Sequence, residues 1–149
     1  MKEITGRSLK YMAIFWLTAY VFLLTYLTFF SSHYGRGNGL RGINIVPFST
    51  IMEYLTLHMG TRNVIVNLAG NIAAFMPMGF LLPLAFKSMK KFSRVITVSI
   101  FTTVLIEVVQ YLTSSGISDI DDIFLNLVGG ISGYLLYKAL LIIFKRHKS

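Results

Sequence analysis

Glu107, Asp119 and Asp122 are the residues of this chain best able to carry chemistry, because each is an acid set in or beside a long apolar run. Thr103 precedes Glu107 by one helical turn, and Gln110 and Tyr111 follow it by one. Asp119, Asp122 and Asn126 stand at i, i+3 and i+7, a single stripe of a helix from which Asp121 points away. Asn63, Asn67 and Asn71 recur every four residues and form a second stripe, flanked by Gly70 and Ala74. Such acids and amides suit general acid/base work, offer oxygen ligands to Mg²⁺ or Ca²⁺, or tie helices together in a polar network. A carboxylate at the centre of a bilayer costs about 2.5–3.5 kcal/mol on insertion scales. Glu107, the deepest acid, therefore has to face a bundle interior and there pair, protonate or meet water. An acid held neutral near an ionised one is an acid/base arrangement, with Asp119 and Asp122 as the ionised members. The counter-charges on the same side are Arg36, Arg41 and Arg62.

The elements that must position these groups are membrane spans. Apolar residues make up 54% of the chain and charged residues 13%, with a mean hydropathy of +0.66. A soluble domain carries about 25% charged residues, so this chain has too little polar material to coat a water-facing surface. Its 149 residues make one domain at most. Four runs are long enough to cross at 1.5 Å per residue: approximately 11–30, 63–86, 95–112 and 123–144. The expected fold is all-α, a polytopic membrane protein of four transmembrane helices. The first run exceeds a signal-peptide core and reads as a retained helix. The absence of cysteine excludes disulfides, thiolate catalysis and cysteine metal sites.

Charge sets the expected orientation. Lys2, Arg7, Lys10, Lys87, Lys90, Lys91, Arg94, Lys138, Lys145, Arg146 and Lys148 fall on one side, against Arg36, Arg41 and Arg62 on the other. The positive-inside rule then puts both termini in the cytoplasm. The net charge of +8 thus reads as a topology signal, with no nucleic acid as partner. Glu107, Asn71 and Asn126 come out roughly 9–12 Å below the outer ends of their spans, and no comparable set lies in the inner half.

Residues 31–62 form a long outer segment. Four glycines in SSHYGRGNGLRG predict turns. Pro47 breaks a strand or begins a helix, which Ser49 or Thr50 could cap, and Ile51–Met59 has room for two turns. This piece is either a re-entrant or interfacial segment folded over the bundle, or an ordinary loop. His33 and His58 lie in it as ordinary loop or interface residues, while Gly129, Gly130 and Gly133 suit close helix packing.

Three blocks, NIVPFSTIMEYL, NLAGNIAAFMPMGFLLP and EVVQYLTSSGISDIDDIFLNLVGG, resemble the VanZ-like family of bacterial membrane proteins over residues 44–133. The matching positions are Pro47, Phe48, Asn67, Gly70, Asn71, Pro77, Gly79, Glu107, Gln110, Asp119, Asp122, Asn126 and Gly129. Members often carry an arginine just before the aspartate stripe, where this chain has Ile117. If that arginine contacts an anion or pairs with Glu107, its role here is empty or passes to Arg41 or Arg62. The resemblance implies a bacterial cytoplasmic membrane protein contributing to resistance against teicoplanin-type glycopeptides, which act on lipid-linked cell-wall precursors.

Two classes of function follow. In the first, Glu107, Asp119 and Asp122, with Asn67, Asn71, Gln110, Asn126, Arg41 and Arg62 lining the site, bind or modify a lipid-linked precursor or lipid head group at the outer leaflet. A divalent cation is a candidate cofactor there, and the residues leave catalysis and binding both open. In the second, the same residues form a structural network in an accessory protein that stabilises a cell-envelope partner, or line a small solute or proton conduit.

Overall fold

The computed structural model describes residues 2–30, 42–56, 61–114 and 117–146. It contains helices α1 (Lys2–Phe29), α2 (Ser49–Thr56), α3 (Thr61–Ala85), α4 (Phe92–Thr113) and α5 (Ile120–Arg146). Two short strands, β1 (Gly42–Asn44) and β2 (Ile117–Asp119), and a 3₁₀ turn (Lys87–Lys90) complete it. The helices α1, α3, α4 and α5 are each long and apolar enough to cross a membrane. The protein is an all-α polytopic membrane protein. Bulky apolar side chains point outward along the bundle, among them Phe22, Phe101 and Phe144, as lipid-facing surfaces require.

The first helix is longer than its apolar run. It begins at Lys2, so Lys2, Arg7 and Lys10 stand on its opening turns rather than in a tail. Between α3 and α4, extended backbone at Phe86 and Lys91 brackets the 3₁₀ turn and reverses the chain. Left-handed Ser114 closes α4, its N–H donating to the carbonyls of Gln110 and Tyr111.

Helices α3 and α5 form the central pair, with α1 lying on α3 and α4 on α5. The pair approaches closely because glycines face backbone. A Cβ placed on Gly133 would lie 2.0 Å from Met76 O, and one on Gly129 would lie 2.2 Å from Ile72 O. Without a hydrophobic drive between helices in lipid, such contact is the main source of cohesion. Tyr20, Leu24, Phe75, Met78, Leu82, Val95, Tyr134 and Tyr137 form the buried core around it.

Pro77 cannot donate to the carbonyl four residues earlier and crowds it. One residue on, the Ala74 carbonyl accepts the Tyr20 hydroxyl at 2.8 Å, which pins α1 to α3 at this turn. Among the described residues no buried side-chain nitrogen or oxygen lacks a partner.

The segment before α3 folds over one end of the bundle. Strand β1 pairs in parallel with β2, with Gly42 opposite Ile117, Ile43 opposite Ser118 and Asn44 opposite Asp119. Backbone groups that would be costly unpaired near lipid are thereby satisfied. Helix α2 follows β1 and docks against the start of α5.

Candidate functional site

Asp121, which the helical stripe sets apart, is fully buried, and its carboxylate organises this cap. Its Oδ1 accepts the Phe48 N–H at 2.6 Å, and its Oδ2 accepts those of Thr50 at 2.9 Å and Ile51 at 3.1 Å. The Thr50 and Ile51 amides lie in the first turn of α2, where they are the donors that an N-cap side chain normally satisfies, and Phe48 immediately precedes the helix. The cap therefore comes from Asp121 on α5, not from Ser49 or Thr50 as the local sequence suggests. The Ser49 hydroxyl instead lies 2.8 Å from Val46 O and 3.0 Å from Asn44 Oδ1, two acceptors within reach of its single proton. Phe48 adopts φ 63°, a left-handed conformation unusual for a bulky residue, and so aims its N–H at Asp121. Its ring stacks on Phe124 at 5.7 Å between centroids, 11° from parallel.

Asp119 lies in β2, one residue before α5, and caps that helix: its Oδ1 accepts the Asp121 N–H at 2.9 Å. The same oxygen receives the Asn44 amide at 3.2 Å, and its Oδ2 receives the Thr50 hydroxyl. Both oxygens thus point into the cap. The Asp119 N–H donates to Glu107 Oε2 at 2.9 Å, so the deepest acid is tied to the strand above it.

Below the cap lies a cavity of about 40 Å³ lined by Thr28, Asn71, Glu107, Asp122 and Asn126, with Gly70 and Phe75 in its wall. That volume holds about one or two waters, or one polar group of a larger ligand. The Asn71 amide donates to Asp122 Oδ1, bridging α3 and α5. The Asn126 amide donates to Thr103 Oγ1 at 2.9 Å, bridging α5 and α4. Glu107 is 4% exposed, which leaves it facing the bundle and not lipid.

Four of the sequence candidates, Glu107, Asp122, Asn71 and Asn126, therefore meet at one cavity. Asp119 and Gln110 do not line it. Gln110 is buried beside it, its amide donating to Thr28 O at 3.3 Å and so joining α4 to α1. Asn67 stands on α3 one turn before Asn71, but its side chain and that of Arg62 lie outside the described residues, as do Arg41, His33 and His58 entirely. Among the described residues no three His, Asp or Glu side chains are grouped to hold a metal ion.

Sequence reasoning missed Asn44 and Thr28 as well as Asp121, and finds Thr50 only as a candidate cap of its own helix. Asn44 opens the first of the three motif blocks, and its place just ahead of a Pro and two hydroxyl residues is a turn signal. Thr28 carried no signal, since threonine within an apolar span commonly bonds only its own helix.

A second space adjoins the cavity. Helix α1 rests on α3 and leaves its flank toward α4 open, where a groove of about 380 Å³ runs along Leu17, Val21, Met78, Val98 and Val109. Leu24, Thr28 and Ile106 line both spaces.

Four apolar crossing helices, capped at one end over a polar cavity, define a multi-pass membrane protein. The chain belongs to the VanZ/LLP1 family, whose model matches residues 17–144. It is similar to Protein VanZ of Enterococcus faecium, with 28% identity over 133 residues that cover 87% of this chain and 70% of that protein. No solved structure matches it.

Proposed function

We propose that the polar cavity receives part of the head group of a lipid-linked or glycerolipid substrate from the outer leaflet, contributing to teicoplanin-type glycopeptide resistance. The observation that carries this reading is that the cavity adjoins the apolar groove between α1 and α4, with Leu24, Thr28 and Ile106 lining both. An acyl chain in that groove would bring its polar end to Glu107 and Asp122. A solute or proton conduit would instead need a polar path on through the bundle. The groove is walled mainly by apolar side chains, with only Thr25, Thr28 and Thr102 adding hydroxyls among the described residues, which favours a lipid.

In this reading Glu107 carries the proton, and Asp122, oriented by Asn71, is its ionised partner. Asp119 holds Glu107 in place through its backbone N–H. Asn126 and Gln110 fix the walls. Arg41 and Arg62 are the cations that the sequence supplies as counter-charges at this end.

Glu107→Gln preserves shape and an oxygen for the Asp119 N–H but cannot exchange a proton. It is expected to lower activity at least ~100-fold, the scale of a lost acid/base group. In a host, glycopeptide susceptibility and the lipid profile should revert to those of cells lacking the protein. Thermal stability in detergent should stay within about 2 °C of the parent.

The ties of Glu107 to Asp119 and of Asn126 to Thr103 also favour a second reading, a non-catalytic accessory protein whose polar layer fixes helix order. Full activity of Glu107→Gln, with lipids unchanged by loss of the protein, would select that reading and reject the first.

We also propose that the capped end faces the outside of a bacterial cytoplasmic membrane, with both termini in the cytoplasm. Because the chain has no cysteine, single substitutions report topology directly. Val46→Cys in the cap should react with an impermeant maleimide on intact cells. Ser88→Cys in the 3₁₀ turn should react only after permeabilisation, and the reverse pattern would overturn the orientation.

A further inference from the structure

At the end opposite the cap lies a cavity of about 580 Å³, between the start of α1, the end of α3, the 3₁₀ turn and the last part of α5. Arg7, Lys10, Lys87 and Lys90 stand around it, and Tyr11, Pro83, Leu84, Tyr137 and Leu141 supply apolar wall. Among the described residues no acid lines it. Two other cations at this end are turned elsewhere: Arg94 donates to Ser88 O at 2.6 Å, and the Lys138 ammonium sits 6.0 Å from the Tyr134 ring centre.

Two of the four cations ride on a braced support. The Tyr134 hydroxyl donates to Lys90 O at 2.9 Å, and Met89 N–H closes onto Phe86 O at 3.0 Å, which holds the 3₁₀ turn against α5. Pro83 is fully buried and Tyr137 is 4% exposed, so the apolar wall is part of the packed core. A topology signal requires only that basic residues lie near the spans, not that four of them converge on one cavity from two separate segments.

The geometry points to a binding site for an anionic phospholipid in the leaflet at this end, its phosphate held by Arg7, Lys10, Lys87 and Lys90 and its glycerol and upper acyl chain against Tyr11, Pro83 and Leu141. Charge complementarity selects the phosphate, and the apolar wall selects a lipid over a free anion. This site is separate from the Glu107 cavity and stands or falls independently of it.

The test is binding of phosphatidylglycerol to the purified protein in a neutral detergent, read by native mass spectrometry and by thermal shift. Phosphatidylcholine and inorganic phosphate serve as the comparison arms. Phosphatidylglycerol should bind and stabilise, while phosphatidylcholine and phosphate should do neither. The Lys87→Gln/Lys90→Gln double variant should lose about 30-fold in affinity, from about fivefold per lysine near an anionic lipid. Lys145→Gln/Arg146→Gln removes the same charge from the same end outside the cavity and should lose less than about threefold, because salt screens exposed charges that do not touch the phosphate. Unchanged lipid-free stability of each variant controls for folding. Equal losses in the two double variants would reduce the effect to general charge attraction and overturn the site. So would equal binding of phosphatidylcholine, while a matching shift with inorganic phosphate would overturn the lipid in favour of a free anion.

Discussion

Gly133→Leu is expected to prevent assembly of the α3–α5 pair, and Gly133→Ala to weaken it by roughly 2–3 kcal/mol, the upper range for overpacking. The reason is that every near neighbour of a Cβ at this position is backbone. Met76 O would lie 2.0 Å away, and Met76 C and Phe80 N 2.9 Å away. No side-chain rotation relieves that overlap, so α3 and α5 must separate. Gly79 and Gly129 repeat the condition along the same seam, each against carbonyl oxygen, so a local adjustment at one glycine strains the next. Leu135→Ala, on a lipid-facing position of the same helix, is the control. Thermal unfolding in detergent should show Gly133→Ala about 5–10 °C below the parent, with the control within about 2 °C. Gly133→Leu should give no monodisperse protein. Normal stability of Gly133→Leu would mean that the helices do not approach as described.

Asp121→Asn is expected to release the cap while leaving the four crossing helices intact. The substitution keeps the side-chain volume but exchanges one acceptor oxygen for a donor, and three backbone N–H groups converge on this carboxylate. Whichever way the amide turns, at least one of those N–H groups then faces an NH₂. Losing charge-assisted bonds at a buried site costs roughly 2–4 kcal/mol here, at about 1.5–3 kcal/mol for each bond to a charged group. Among the described residues α2 has few other contacts with α3 and α5, the Thr50 hydroxyl bond to Asp119 being the main remaining tie to this end of the bundle. Hydrogen exchange at the Thr50 and Ile51 amides should accelerate between about 30- and 1,000-fold, by the conversion of 1.4 kcal/mol per tenfold. Exchange within α4 and the second half of α5 should not change. Unaltered exchange at Thr50 and Ile51 would show that Asp121 does not hold the cap. Because Asp121 N–H also bonds Asp119, and Asp119 N–H bonds Glu107, this variant further tests whether the cap sets the position of the deep acid.

These two residues mark different limits of reading a linear chain. The packing role of Gly129, Gly130 and Gly133 is legible in sequence, because small residues recurring along an apolar helix have few other uses in a membrane. The atoms they meet are not, since Ile72 and Met76 are distant in sequence and look like any other lipid-phase residues. Asp121 was the harder case. Its place off the Asp119–Asp122–Asn126 stripe marks it as outward-facing only if the helix stands alone. The approach of β1 and α2 turns that direction into the most buried one at this end of the bundle.

The Glu107, Asp122, Asn71 and Asn126 set lies between these extremes. Its convergence was readable because each residue sits on a regular helix, where spacing predicts direction and an interior polar group must find the bundle core. Asp119 departed from the expectation because regular spacing does not extend to it. It belongs to a strand, and its carboxylate closes a helix start instead of facing the cavity.

What the sequence by itself determined is the solvent, the number of crossing helices and the layer in which polar groups gather. Hydropathy and charge accumulate over about twenty adjacent residues, and burying a charge in lipid costs too much for any fold to ignore. Only the tertiary structure decided which two acids line the cavity and which two build the cap. Those assignments depend on hydrogen bonds from Asn44, Phe48, Thr50 and Ile51, residues whose proximity to α5 arises from a parallel strand pair. Pairing of distant backbone segments leaves no periodic trace in either partner, so it can be seen only once the chain is folded.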